Sequence, residues 1–154
     1  MQLRPLLAKL DTLADFLQSP LLLVIRLYWG WSFAQTGWGK LTHLERTSSY
    51  FESLNLPLPK VNAVMAGTTE TVGGVLLAIG LFARPASVPL IFTMLVAYYT
   101  ADHEALVAIT SDPDKFVSAA PFLFMFAALL VLVFGPGKLS IDALRGKSAG
   151  SPAK

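Results

Sequence analysis

Apolar residues fall along this chain in two different rhythms. Leu3, Leu6, Leu7, Leu10, Leu13, Ala14 and Leu17 recur at i, i+3, i+4 and i+7, with Arg4, Lys9, Asp11 and Asp15 elsewhere. That spacing predicts an amphipathic helix over residues 1–19. Its leucine face either lies in the bilayer interface or docks in the groove of a partner protein. From Pro20 onward the rhythm gives way to nearly continuous apolar runs. Pro20 to Gly39, Val61 to Phe82, Ala86 to about Ile109 and Phe116 to Phe134 each meet or approach the ~20 residues that span a bilayer. Pro20 suits the opening turn of a helix, and Gly135-Pro136-Gly137 stops the last run. The predicted fold is an all-α membrane protein. Its four-transmembrane-helix bundle covers residues 20–142, with an N-terminal amphipathic interfacial helix before it and a disordered cytoplasmic tail at 143–154.

Composition sharpens this picture. Only 14% of the 154 residues are charged, where a soluble domain carries about 25%, and 54% are hydrophobic. The mean hydropathy is +0.57. A net charge of +2 with scattered basic residues leaves no stripe for nucleic acid. With no cysteine, disulfides, thiol redox chemistry, Fe–S ligation and a Cys-based zinc site are excluded. No cleavable leader is predicted, because Arg26 interrupts the run after Pro20 and no A-x-A-like site follows. With four spans, seven basic residues share the side of the termini and four the other. A multi-pass membrane protein with both termini cytoplasmic is therefore expected.

Small residues predict close helix contacts. Gly30 and Ala34 form a small-xxx-small pair with Gly37 beyond, and Gly67, Gly73, Gly74 and Gly80 thread the second span. Gly67, Glu70, Gly74 and Leu77 share one face, so Glu70 looks onto a helix contact rather than lipid. Glycine faces left over after packing would favour a homodimer.

Three constellations could carry chemistry. Glu70 is the only charge between Val61 and Phe82, and Arg26 is alone between Pro20 and Gly39. A carboxylate in hydrocarbon costs at least ~2.5 kcal/mol, so the two are expected to pair. Such a pair either fixes helix register or gives a proton-responsive carboxylate beside a ligand cavity. At the end of the third span, Tyr98 and Asp102, and Tyr99 and His103, are four apart. This group is either an interfacial belt or a polar site in which Asp102 orients His103 toward a quinone carbonyl. Trp29 and Trp31 face lipid or flank a flat ligand, while Trp38 and Lys40 anchor the helix at the headgroups. A metal site is not expected, since His43 would have to converge with His103. The loop Leu41 to Lys60 is long enough for a short helix near Ser49–Pro57, a lid over the outer end. No phosphate loop, nucleophile elbow or H-E-x-x-H is present.

Arg26 with Gly30, Phe33, Gly37 and Lys40 resembles the R-x(3)-G-x(2)-F-x(3)-G-x(2)-K opening of the DoxX family. Phe51 with Leu54-Asn55-Leu56-Pro57 is similar to its loop, and Glu70, Gly73-Gly74, Leu77 and Gly80 followed by Arg84 to its second span. Met94, Ala97 and His103 fit the third span, and Gly135-Pro136-Gly137 with Leu139-Ser140-Ile141-Asp142 the closing segment. The resemblance covers about residues 21–142. It implies a four-helix inner-membrane protein, some relatives being membrane subunits of thiosulfate:quinone oxidoreductases and others associated with redox or oxidative-stress complexes. Arg26, Glu70 and His103 match family positions, which implies one shared interior site. The leading expectation is a membrane subunit holding a quinone or similar lipophile. Arg26 and Glu70 would form its polar floor, Tyr99, Asp102 and His103 its outer end, and a soluble partner would exchange electrons. The alternative is a non-catalytic scaffold or a pathway for protons or small solutes.

Overall fold

The computed structural model describes residues 3–149, with side chains described from 7 to 146. It is all-helical among these residues: α1 (Leu3–Thr42), α2 (Leu44–Ser53), α3 (Pro59–Ile79), α4 (Ala83–Thr100), α5 (His103–Val107), α6 (Pro113–Ser118), α7 (Ala120–Phe134) and α8 (Ile141–Ala149). α3 is long and apolar enough to cross a membrane, and α7 is a shorter apolar helix of 15 residues.

Several expected boundaries move, each for a local reason. The amphipathic segment and the first apolar run are one unbroken helix of 40 residues, with Pro20 inside it instead of at its first turn. Pro20 removes one ladder bond, and its ring crowds the Phe16 carbonyl, yet the helix runs on through it. The third run ends earlier than expected, at Thr100, because Asp102 starts a new short helix. The fourth begins at Ala120 behind an extended Ala119, so Phe116 belongs to α6. The lid helix lies earlier in the loop, at Leu44–Ser53, and the chain turns at Asn55 with φ 57°. Residues 143–149 belong to α8. The Ser140 hydroxyl accepts from the Ala143 N–H at 3.2 Å and caps α8. The remaining tail, 150–154, lies outside the described residues.

α1 and α3 make the most extensive contact. α4 packs on α7 and α3, α7 also touches α1, and α2 lies on α3. The glycines explain how close α1 and α3 come. A Cβ on Gly30 would stand 2.7 Å from the Gly74 carbonyl oxygen, and one on Gly74 would stand 2.6 Å from the Gly30 oxygen. Gly37 and Gly67 repeat this nearer the other end. These four glycines are therefore used in the contact between α1 and α3 inside the protomer. Behind them Phe33, Leu77, Leu90, Met94, Ala128 and Val131 form the apolar core.

Candidate functional site

Arg26 and Glu70 are both buried, at 0% and 2% exposure, yet they do not meet. The antiparallel register decides this. Gly30 lies against Ala78 and Gly37 against Thr71, so Arg26 faces the end of α3 and Glu70 faces the last turns of α1. The ten residues separating Arg26 from Thr36 amount to about 15 Å of helix rise, beyond the reach of an arginine.

Arg26 instead ties three segments together at one end. Its Nη1 donates to the Ala78 carbonyl at 3.2 Å and its Nη2 to the Leu139 carbonyl at 2.5 Å. Gly80, with φ 69°, ends α3 directly beside the guanidinium, where a side chain would collide with it. Asp142 supplies countercharge through space. Its own oxygens accept from the N–H groups of Phe82 and Ala83 at 2.9 and 3.0 Å, capping α4. Nε of Arg26 is the one buried side-chain polar atom without a partner among the described residues.

Glu70 is held from α1 by Lys40 and Thr36. Lys40 Nζ lies 2.5 Å from Oε2, and the Thr36 hydroxyl donates to the same oxygen at 3.1 Å. No described residue hydrogen-bonds Oε1. Lys40 is thus turned inward, not toward the headgroups, and is 28% exposed, whereas Trp38 is largely exposed. The ion pair forms part of the wall of a cavity of about 480 Å³. Phe51, Leu54 and Leu56 of the α2 segment, Met65 of α3, Phe92 and Met94 of α4, and Pro121 and Phe124 at α7 make its apolar walls. Thr69, Thr93 and Thr100 add hydroxyls, and Asp102 adds a second carboxylate. Volume and lining suit a ligand of drug-like size with a few oriented polar atoms.

Of the predicted site residues, Glu70 and Asp102 line this cavity, while Arg26, Tyr99 and His103 do not. Tyr99 is 69% exposed and sets its ring edge-on to His103, centroids 5.7 Å apart, on the outside of the molecule. The buried tyrosine is Tyr98, whose hydroxyl donates to the Phe116 carbonyl at 2.8 Å and whose ring stacks on Phe116. Trp29 packs edge-on to Phe124, and Trp31 is exposed. Among the described residues no cluster of His, Asp or Glu could hold a metal. Thr36 and Lys40 were missed as site residues. Their i, i+4 spacing on the α1 face that carries Phe33 and Gly37 was the available signal.

The DoxX family pattern matches residues 21–103, the stretch that contains Arg26, Lys40, Glu70 and most of the cavity wall. The chain belongs to the DoxX family. Two relatives agree with the membrane setting. Inner membrane protein YphA of Escherichia coli (strain K12) is 30% identical over 128 residues, covering 79% of this chain and 88% of the relative. Uncharacterized membrane protein Rv3486 of Mycobacterium tuberculosis (strain ATCC 25618 / H37Rv) is 31% identical over 142 residues, 84% of each chain. No solved structure matches. This DoxX-family chain is a membrane protein, and its Lys40–Glu70 pair joins α1 to α3.

Proposed function

We propose that this DoxX-family protein crosses the inner membrane four times, through α1, α3, α4 and α7, with both termini cytoplasmic. It serves as the membrane subunit of a redox complex and holds a quinone or similar lipophile in the cavity. The observation that carries this reading is a polar pole in an apolar slot: Lys40, Thr36 and Glu70 on a wall otherwise built from Phe51, Met65, Phe92, Met94 and Phe124. Lys40 offers N–H groups to a carbonyl oxygen, and Glu70 Oε1 has an acceptor site free for a ligand hydroxyl. A quinone carbonyl and a quinol hydroxyl need these two partners respectively. Asp102, just beyond the end of α4, adds a second carboxylate to the cavity lining. A soluble partner supplies or takes the two electrons of the quinone–quinol couple, and its two protons exchange with water through the polar groups of the slot, Glu70 and Lys40 at one of the two oxygens.

The test is quinone extraction from protein purified in mild detergent, comparing wild type with Glu70→Gln. Near-stoichiometric quinone in the wild type, lost in a still-folded variant, is the expected result. No quinone in either protein, even after it is added back, would replace this reading with a scaffold or a solute pathway.

A further inference from the structure

One face of α1 has no partner within the protomer. Every described side chain from Leu7 to Gln18 is exposed, because α1 leaves the rest of the molecule at Ser19, where its hydroxyl accepts from the Lys138 N–H. In sequence Leu3, Leu6, Leu10, Leu13 and Leu17 keep the three-then-four alternation of a coiled-coil seam; the next seam position is Pro20, and Val24 resumes the stripe beyond it. A straight helix drifts about 20° per heptad against that repeat. The outward stripe therefore passes, inside the apolar run, to Leu27, Trp31 and Gln35. These line a surface groove on the side of α1 away from α3.

Two features say what covers this stripe. The projecting part carries Arg4 and Lys9 against Asp11 and Asp15, so it has no net charge, unlike the Lys/Arg-rich helices that lie on anionic lipid. Gln35 is exposed on the outer surface of a membrane helix, one turn inside Trp38, and its amide makes no hydrogen bond among the described residues. An amide facing hydrocarbon is costly and is usually paired across helices. A primary amide both donates and accepts, so Gln35 can pair with its own copy about a two-fold axis. The bilayer holds all copies in one orientation, which makes the pairing parallel, as the leucine repeat requires.

We propose that α1 pairs with α1 of a second copy of this chain. Leucines 10, 13 and 17 form a cytoplasmic zipper, and the groove around Trp31 and Gln35 forms its membrane continuation. The pairing is independent of what the cavity holds.

The chain's lack of cysteine makes the test direct. Single-cysteine variants Leu10→Cys, Leu13→Cys and Leu17→Cys are oxidised in native membranes beside Thr12→Cys and Asp15→Cys, which lie off the seam. The seam positions should give several-fold more disulfide-linked dimer than the off-seam pair. Gln35→Leu, in a chain otherwise unaltered, should shift the protein toward monomer in detergent with helix content unchanged. Equal or negligible cross-linking at all five positions would overturn the proposal. So would spin labels at 10, 13 and 17 that report lipid contact in a monomer, or cross-links that join the seam to a different polypeptide.

Discussion

Arg26 and Lys40 hang from the same helix, and both hold it to α3, yet they do different work. Arg26 is fully buried and spends its donors on backbone carbonyls, joining α1 to the end of α3 and to the segment before α8. Lys40 is partly exposed and meets a side-chain carboxylate on a cavity wall. Backbone carbonyls cannot titrate or move away, so the Arg26 end is a staple. A carboxylate and a lysine beside a 480 Å³ space can exchange partners with a ligand, which is why the proposed site lies at the Glu70 end. Charge buried in a membrane protein is therefore not by itself a mark of function. What it is bonded to separates the two cases.

The strongest way to break this comparison is at the staple. Arg26→Leu removes two charge-assisted bonds in a buried place and should cost about 3–5 kcal/mol, read as a large fall in detergent melting temperature. Ligand retention should fall only in proportion to folded protein. Glu70→Ala should cost less, about 1–3 kcal/mol, because the stranded Lys40 is partly exposed and can turn to water. It should abolish ligand retention in protein that is still folded, and an Arg26-sized loss of stability would erase the distinction. Asp142→Ala uncaps α4 without touching the cavity and should cost about 1 kcal/mol, leaving bound ligand unchanged.

The smallest effect belongs to an ion pair outside the membrane helices. The Lys115 ammonium donates to Glu104 at 3.0 Å and holds its carboxyl below the usual carboxylate range. The folded-state value is depressed, so any stability from this pair is present above the ordinary carboxylate range and is lost as pH falls through the lowered value. Both groups are well exposed and screened. Glu104→Gln should leave the melting temperature unchanged at neutral pH, against the clear loss at either deep charge.

Much of this protein was legible in its residues. Apolar runs in a chain with few charges determine helices in a membrane, because each backbone group in hydrocarbon must be bonded within its own helix. The glycines of α1 and α3 announced a close contact, and Glu70 announced an interior polar site. The choice of its partner was decided only by tertiary structure. Glu70 had two cations to choose from on the part of α1 beyond Pro20, Arg26 and Lys40, and an antiparallel contact assigns one or the other according to where the glycine backbones seat. Spacing within a helix carries no information about register between helices. The same holds for Tyr98 and Tyr99: adjacent residues point to different sides of one helix, and only the packing of α4 against α6 and α7 determines which side is the interior. A sequence can thus specify which groups must be satisfied, while the contact between distant segments specifies who satisfies them.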